Sequence, residues 1–143
     1  DADLLYFWRN MPHIIKLGSK NRKVTKEEHN AWYANILNNK YNRLYIIEFA
    51  GKAVGQIRYT GENSKRTVVS IYLIPEMTGK GLGVNAIIEG NRRLYEENKN
   101  LEEIIAVIKK GNEYSEKAFA KAGFVMDKYD KIRGETLWSR KRE

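Results

Sequence analysis

Short apolar runs of strand character alternate along this chain with stretches in which apolar residues recur at helical spacing. From Asp3 to Asn10, Leu4, Leu5, Phe7 and Trp8 make a strongly apolar helix whose acids sit at its N-terminal end, as the helix dipole prefers. Residues 11–24 contain Pro12 and Gly18 and are predicted to form a loop. Thr25-Lys26-Glu27-Glu28 is a capping box, which predicts a helix running to about Leu37. Leu44–Phe49 and Val54–Tyr59 read as strands of a hairpin turning around Ala50-Gly51-Lys52, and a turn over Gly61–Arg66 leads to a third strand, Thr67–Ile74. Helical spacing returns from Val84 to about Asn98. A short buried strand, Ile104–Ile108, and a short helix over 112–122 follow. Phe124–Ile132 and Thr136–Arg140 close the chain as a hairpin around Gly134. The order α-α-β-β-β-α-β-α-β-β predicts an α/β protein of the α+β type, with a mixed, mostly antiparallel central sheet and helices on both faces.

Between the third strand and the next helix lies Thr78-Gly79-Lys80-Gly81-Leu82-Gly83. Glycines let main chain approach a ligand closely. The first amides of a helix have no intrahelical partner, and the positive end of its dipole favours phosphate. The stretch therefore predicts a site for a phosphate or pyrophosphate held by main chain. A Walker A loop requires G-x-x-x-x-G-K-[ST], which no window provides. Gly81-x-Gly83-x-x-Ala86 fits the letters of a dinucleotide fingerprint. However, it stands away from its strand beyond Pro75, and the next strand ends in Lys109-Lys110 rather than in an acid for a ribose.

The same residues resemble the acetyl-CoA motif of the GNAT acetyltransferase superfamily, [QR]-x-x-G-x-[GA]. Gly81 and Gly83 match its glycines, and Thr78 stands where Gln or Arg is usual. Asn112-Glu113-Tyr114-Ser115-Glu116-Lys117-Ala118-Phe119-Ala120-Lys121-Ala122-Gly123-Phe124 resembles the superfamily's N-x-x-S-x-x-x-[YF]-x-K-x-G-F stretch. As a bare sequence this second stretch is a short helix, capped by Asn112 or Ser115 and stopped by Gly123. The resemblance covers essentially the whole chain and implies a single GNAT domain over residues 1–143. In this family a strand usually precedes the first helix, so the first strand is expected to be missing from this chain, which opens at Asp1 without methionine. A domain excised from a longer, hydrolase-fused polypeptide would account for that.

The resemblance implies acetyl-CoA as cosubstrate. Main chain of Leu73 and Ile74 would meet the pantetheine arm. The loop Thr78, Gly79, Lys80, Gly81, Leu82, Gly83 and Val84 would take the pyrophosphate, Asn112 the arm again, and Phe119 would line the thioester. Many members carry at the Phe119 position a tyrosine that protonates the leaving thiolate. Phenylalanine cannot, so Tyr114, Tyr72 or water would do so. Members often place a glutamate base on the middle strands. Here Val68, Ser70 and Tyr72 share that face and none is acidic, so the catalytic candidates are Ser70, Tyr72 and His29, which titrates near neutrality.

Further words narrow the resemblance. Trp8-Arg9-Asn10, Glu27-Glu28-His29-Asn30-Ala31-Trp32-Tyr33 and Gly51-Lys52-Ala53-Val54-Gly55-Gln56-Ile57-Arg58 are similar to stretches of acetyltransferases that modify amino-sugar nucleotides. These serve pseudaminic and legionaminic acid or spore-coat polysaccharide synthesis. Trp8, Arg9, Asn10, Trp32, Gln56 and Arg58 would then bind the acceptor, with aromatic faces for a sugar or base and arginine forks for a diphosphate. The alternatives are core packing for Trp8 and Trp32 and a plain surface position for Arg58. At the level of function they are a protein or peptide N-terminal acetyltransferase, or a degenerate acetyl-CoA-binding module.

Composition bounds these readings. The 143 residues make one domain with a real core. There is no cysteine, which excludes disulfides, thiolate metal sites and thiol catalysis, and His13 and His29 are too few for a histidine-rich site, so no metal is expected. No run approaches the ~20 apolar residues of a membrane span, and no signal pattern opens the chain, so a cytoplasmic location is expected. The net charge of +8 suits polyanionic ligands. Basic residues are scattered apart from Lys20–Lys23 and Arg140-Lys141-Arg142, and no nucleic-acid motif is present. The expected partner is a small molecule, with a second copy of the chain left open.

Overall fold

Local signals at element ends shape the N-terminal half. In the computed structural model, residues 2–17, 22–61 and 63–142 are described, without the side chains of residues 13, 16 and 17. Helix α1 spans Ala2–Arg9 and α2 spans Pro12–Leu17. The second corrects the loop expected over 11–24. Proline breaks a helix interior, but at a helix's first position its missing N–H costs nothing and its fixed φ fits. Residues 18–21, which include part of the Lys20–Lys23 cluster, lie outside the described residues. Helix α3, Lys26–Asn38, starts on the capping box that the sequence shows. Thr25 Oγ1 accepts from Glu28 N–H, and the Glu28 carboxylate accepts from Thr25 N–H, each at 3.1 Å.

Strands β1 (Arg43–Phe49) and β2 (Lys52–Gly61) are joined by Ala50-Gly51, whose φ angles of 54° and 78° make a two-residue turn of the hand that sheet twist prefers. Then come β3 (Arg66–Leu73), a 3₁₀ turn at Pro75–Met77, α4 (Leu82–Glu97), β4 (Glu103–Lys109), α5 (Glu113–Lys121), β5 (Val125–Asp130) and β6 (Glu135–Lys141). The sheet order is β1-β2-β3-β4-β6-β5, antiparallel except for β3 with β4. Among the described residues no helix is long and apolar enough to cross a membrane.

Alternation along the strands sends side chains to two cores. Ile57, Tyr59, Val69, Ile104, Ala106 and Ile108 pack under α4 and α5 with Ile87, Leu94, Phe119 and Phe124. Leu44, Ile46, Tyr72 and Ile74 pack on the opposite face with Leu5, Trp8 and Ile14 of α1 and α2 and with Tyr33 of α3. Helix α4 lies close on β2 because residue 90 is glycine. A Cβ there would stand 2.5 Å from the Tyr59 hydroxyl and 3.2 Å from Ile57 Cδ1. That hydroxyl donates to Asn91 Oδ1 at 2.7 Å, tying helix to sheet.

Gly90→Ala is expected to cost about 1–3 kcal/mol, the usual cost of overpacking a filled core, and to break the Tyr59–Asn91 bond. Urea denaturation against the parent chain measures it. A loss below 0.5 kcal/mol, roughly the scale of a neutral surface change, would show that α4 does not pack this tightly on β2.

Candidate functional site: a parted sheet and a desolvated arginine

The parallel pair β3–β4 is short. Its register runs from Arg66 opposite Glu103 to Val69 opposite Ala106 and stops. Past that point β3 stays with β2 as far as Leu73 opposite Gly55, and β4 stays with β6 as far as Lys109 opposite Glu135. The sheet therefore parts between β3 and β4. Ile74 N–H donates to Val54 O at 2.8 Å, which fixes the phase of the β2–β3 ladder. Hydrogen-bonding pairs alternate along an antiparallel ladder, so Ser70, Tyr72 and Ile74 direct their main-chain groups to β2, and Ile71 and Leu73 direct theirs into the gap. Ile74 is doubly committed, because its carbonyl also accepts from Met77 N–H at 3.0 Å. This corrects the expectation for Ile74. Leu73 presents main chain to the gap and Ile71 joins it, since the phase of the ladder is set between strands.

The glycine loop closes one end of the gap. Gly79 and Gly81 have φ of 78° and 77°, and nothing lies within 4 Å of where a Cβ would stand at either. Left-handed backbone facing open space suits a loop that cradles an anion. Gly81 is the N-cap of α4, with no side-chain cap and no acid in the first turn. The helix begins at Leu82, two residues before the predicted start, so the amides of Leu82, Gly83 and Val84 are its unpaired first-turn donors. Lys80 is exposed beside them. Thr78 binds inward, its hydroxyl donating to Pro75 O at 2.9 Å. Tyr114 of α5 reaches across the mouth of the gap, its hydroxyl 3.2 Å from a Cβ built on Gly83, with Leu73 Cδ1 beside the same point at 3.9 Å. Asn112 caps α5, its Oδ1 accepting from Ser115 N–H at 3.2 Å, so that oxygen is committed to the helix. Phe119 is corrected as a lining residue. It is 3% exposed and packs edge-on against Phe124 with ring centres 5.0 Å apart.

The opposite face of β2 and β3 carries the other candidates. Gln56, Arg58, Ser70 and Tyr72 share it through the pairs Gln56–Tyr72 and Arg58–Ser70. Tyr72 OH donates to the carboxamide oxygen of Gln56, itself 4% exposed, at 3.4 Å, and Trp8 packs edge-on against the Tyr72 ring at 5.9 Å. Trp8 is 3% exposed and is a core residue, which corrects its expected role in the acceptor site. Asn10 is corrected too. Its Nδ2 donates to Val24 O at 3.0 Å and its Oδ1 accepts from Val24 N–H at 2.7 Å, so it clasps the segment before α3.

Arg58 stands out chemically. It makes no hydrogen bond or ion pair among the described residues and lies over the Trp32 ring at 5.1 Å. Burial lowers its pKa from the ordinary arginine value, and the charge of Arg9 works in the same direction. Arg9 donates to Arg22 O at 3.1 Å and, like Arg58, has no ion pair with an acid among the described residues. The charge of Arg9 is thus felt at Arg58, and neither is ion-paired to a carboxylate among the described residues.

Burial pushes the Tyr72 phenol well above the ordinary tyrosine value. It stays neutral at every working pH, so it can donate a hydrogen bond and cannot act as a base. Ser70 has no partner among the described residues that would activate it. His29 is 5% exposed between Tyr6 and Trp32, and its Nδ1 is buried without a hydrogen-bond partner among the described residues. Burial, followed by the charge of Arg9, lowers its pKa below 6.5. A histidine whose folded pKa is depressed contributes stability above its unfolded pKa and loses it as pH falls through the folded value. The protein is expected to lose stability on acidification below 6.5, the ordinary histidine value, and His29→Gln is expected to flatten that slope. Melting temperatures from pH 8 to 5 test this, and equal slopes for the two chains would contradict it.

Among curated proteins, none matches this chain. Solved structures share its fold. Aminoglycoside acetyltransferase AAC(6')-Ib in complex with coenzyme A superposes with a TM-score of 0.85 at 19% identity, covering 99% of this chain and 90% of that one. The microcin C7 self-immunity acetyltransferase MccE, in complex with acetyl-CoA and AMP, does so at 0.78 and 16%, covering 99% and 87%. The Campylobacter jejuni N-acetyltransferase PseH, in complex with acetyl coenzyme A, does so at 0.75 and 18%, covering 99% and 90%. The sequence itself matches the family described as acetyltransferase (GNAT) domain over residues 1–125. With its parted parallel pair and its glycine-rich helix start, this chain belongs to the GNAT acetyltransferase family.

Proposed function

We propose that this acetyltransferase domain transfers the acetyl group of acetyl-CoA to the primary amine of a nucleotide-linked amino sugar, in the cytoplasm. The observation that carries the acceptor class is Arg58, desolvated against Trp32 under the charge of Arg9, with no acid paired to it among the described residues. A polyamine or aminoglycoside acceptor is cationic at neutral pH and would call for carboxylates at this place. A diphosphate calls for arginines. Structures that share the fold include one solved with acetyl-CoA and AMP together.

On the donor side, the main chain of Ile71 and Leu73 pairs with the pantetheine arm as an added strand would, and the amides of Gly79 to Val84, with Lys80, take the pyrophosphate. Gln56 and Arg58 face the acceptor. The neutral amine attacks the thioester carbon, the C–S bond breaks, and the amine proton passes to a base, for which the neutral His29 is the chemically fitting candidate. The neutral Tyr72 hydroxyl steadies developing negative charge by hydrogen bonding. Water supplies the proton for coenzyme A thiol.

Thiol release from acetyl-CoA is expected with a UDP-linked 4-amino-4,6-dideoxy sugar and not with spermidine or a ribosomal N-terminal peptide. Release with the peptide alone would replace the acceptor assignment. Silence with all three, while acetyl-CoA still raises the melting temperature, would mark a binding module. Arg58→Met is expected to raise KM for the sugar nucleotide roughly 10- to 100-fold, since a charged hydrogen bond is worth about 1.5–3 kcal/mol. It should leave acetyl-CoA affinity and the melting temperature undiminished, because it removes an unpaired desolvated charge. Equal weakening of both ligands would refute the acceptor role. Gly83→Asp puts a carboxylate at the start of α4, and acetyl-CoA affinity is expected to fall by more than tenfold. Unchanged affinity would remove the loop from the donor site.

A further inference from the structure

The glycines at the start of α4 are not alike. Gly79 and Gly81 have left-handed φ and face open space. Gly83 lies within the helix and is buried, and the point where its Cβ would stand is already crowded. The hydroxyl oxygen of Tyr114 is 3.2 Å from that point, while Tyr114 Cε1 and Leu73 Cδ1 are each 3.9 Å from it. Carbon atoms at 3.9 Å make ordinary packing contact. An oxygen at 3.2 Å is closer than ordinary contact. The hydroxyl of Tyr114, and not its ring, is therefore what calls for glycine at position 83.

Glycine inside a helix lowers stability relative to alanine. No hydrogen bond offsets that cost, because the Tyr114 hydroxyl has no partner among the described residues. Packing of α5 on α4 explains the ring. It does not explain the oxygen, since phenylalanine would make the same ring contacts and leave room for alanine at 83. Position supplies the missing reason. Tyr114 is the second residue of α5, which follows β4, and Gly83 is the second residue of α4, which follows β3. The side chain thus crosses from one wall of the parted sheet to the other. It sets an O–H beside the first-turn amides of Leu82, Gly83 and Val84, which have no intrahelical partner.

We propose that Tyr114 is a cosubstrate-binding residue whose hydroxyl donates a hydrogen bond to the pyrophosphate of acetyl-CoA. This rests on the reading of the glycine loop as the donor site. Main-chain amides meet the anion from the α4 side, and the phenolic O–H adds a donor from the α5 side. Gly83 then serves the ligand indirectly, by leaving space for that oxygen.

Coenzyme A is the probe, with titration calorimetry and phosphorus NMR on the whole chain. Tyr114→Phe keeps the ring and removes only the hydroxyl of a side chain that is 43% exposed, so the melting temperature is expected to hold. Affinity for coenzyme A is expected to fall at least fivefold, the scale of a hydrogen bond to a charged group. At saturation the pyrophosphate resonances of bound coenzyme A should move between parent and variant, and the ribose phosphate resonance should not. A smaller fall in affinity overturns the proposal. So does a fall that leaves the pyrophosphate resonances unmoved, the mark of lost packing alone. Gly83→Asp separates the two levels of the argument. If it lowers affinity and Tyr114→Phe does not, the role of Tyr114 fails and the donor loop stands. If it leaves affinity unchanged, the loop reading fails and the proposal falls with it.

Discussion

The parting of β3 from β4 after Val69 and Ala106 is the constraint on which the rest of the site depends. Parallel strands ordinarily bond along their shared length, and leaving main-chain donors and acceptors unpaired is costly unless water or a ligand meets them. Here each strand is held elsewhere, β3 by β2 and β4 by β6, through antiparallel ladders that run on past the break. The gap is thus maintained by its neighbours. The gap leaves the main chain of Ile71 and Leu73 without a strand beside it, and the start of α4, on a helix fixed over the sheet by Gly90 and Asn91, carries unpaired first-turn amides at its end.

The reacting face shows a second tension. Desolvating a guanidinium without an acid partner opposes folding, and the stacking of Arg58 on Trp32 offsets only part of that. Positions that oppose stability persist where binding requires them. Burial pushes the Tyr72 phenol up and the His29 imidazole down, so at each place it favours the uncharged form.

Much of the fold is legible in the sequence where a local rule is strong. The capping box at Thr25 and Glu28, the turn at Ala50-Gly51, the three strands of the meander and the glycine loop all stand where the residues indicate. Pro12 misled, because the same residue breaks a helix interior and opens a helix start. At the site, the loop amides follow from glycine spacing. The roles of Trp8 and Asn10 do not: a tryptophan and a carboxamide beside an arginine look alike whether they face a ligand, the core or a neighbouring backbone.

The sequence by itself determined the family and the glycine-rich helix start, because each depends on residue identity at fixed local spacing. Only the tertiary structure decided that Ile71 rather than Ile74 joins Leu73 at the gap, since the phase of a ladder is set by a bond between strands, here from Ile74 to Val54. Only it decided that the charge of Arg9 on α1 is felt at Arg58 on β2 with no acid paired to either among the described residues, because charge balance is a property of what packing brings together and what it leaves out.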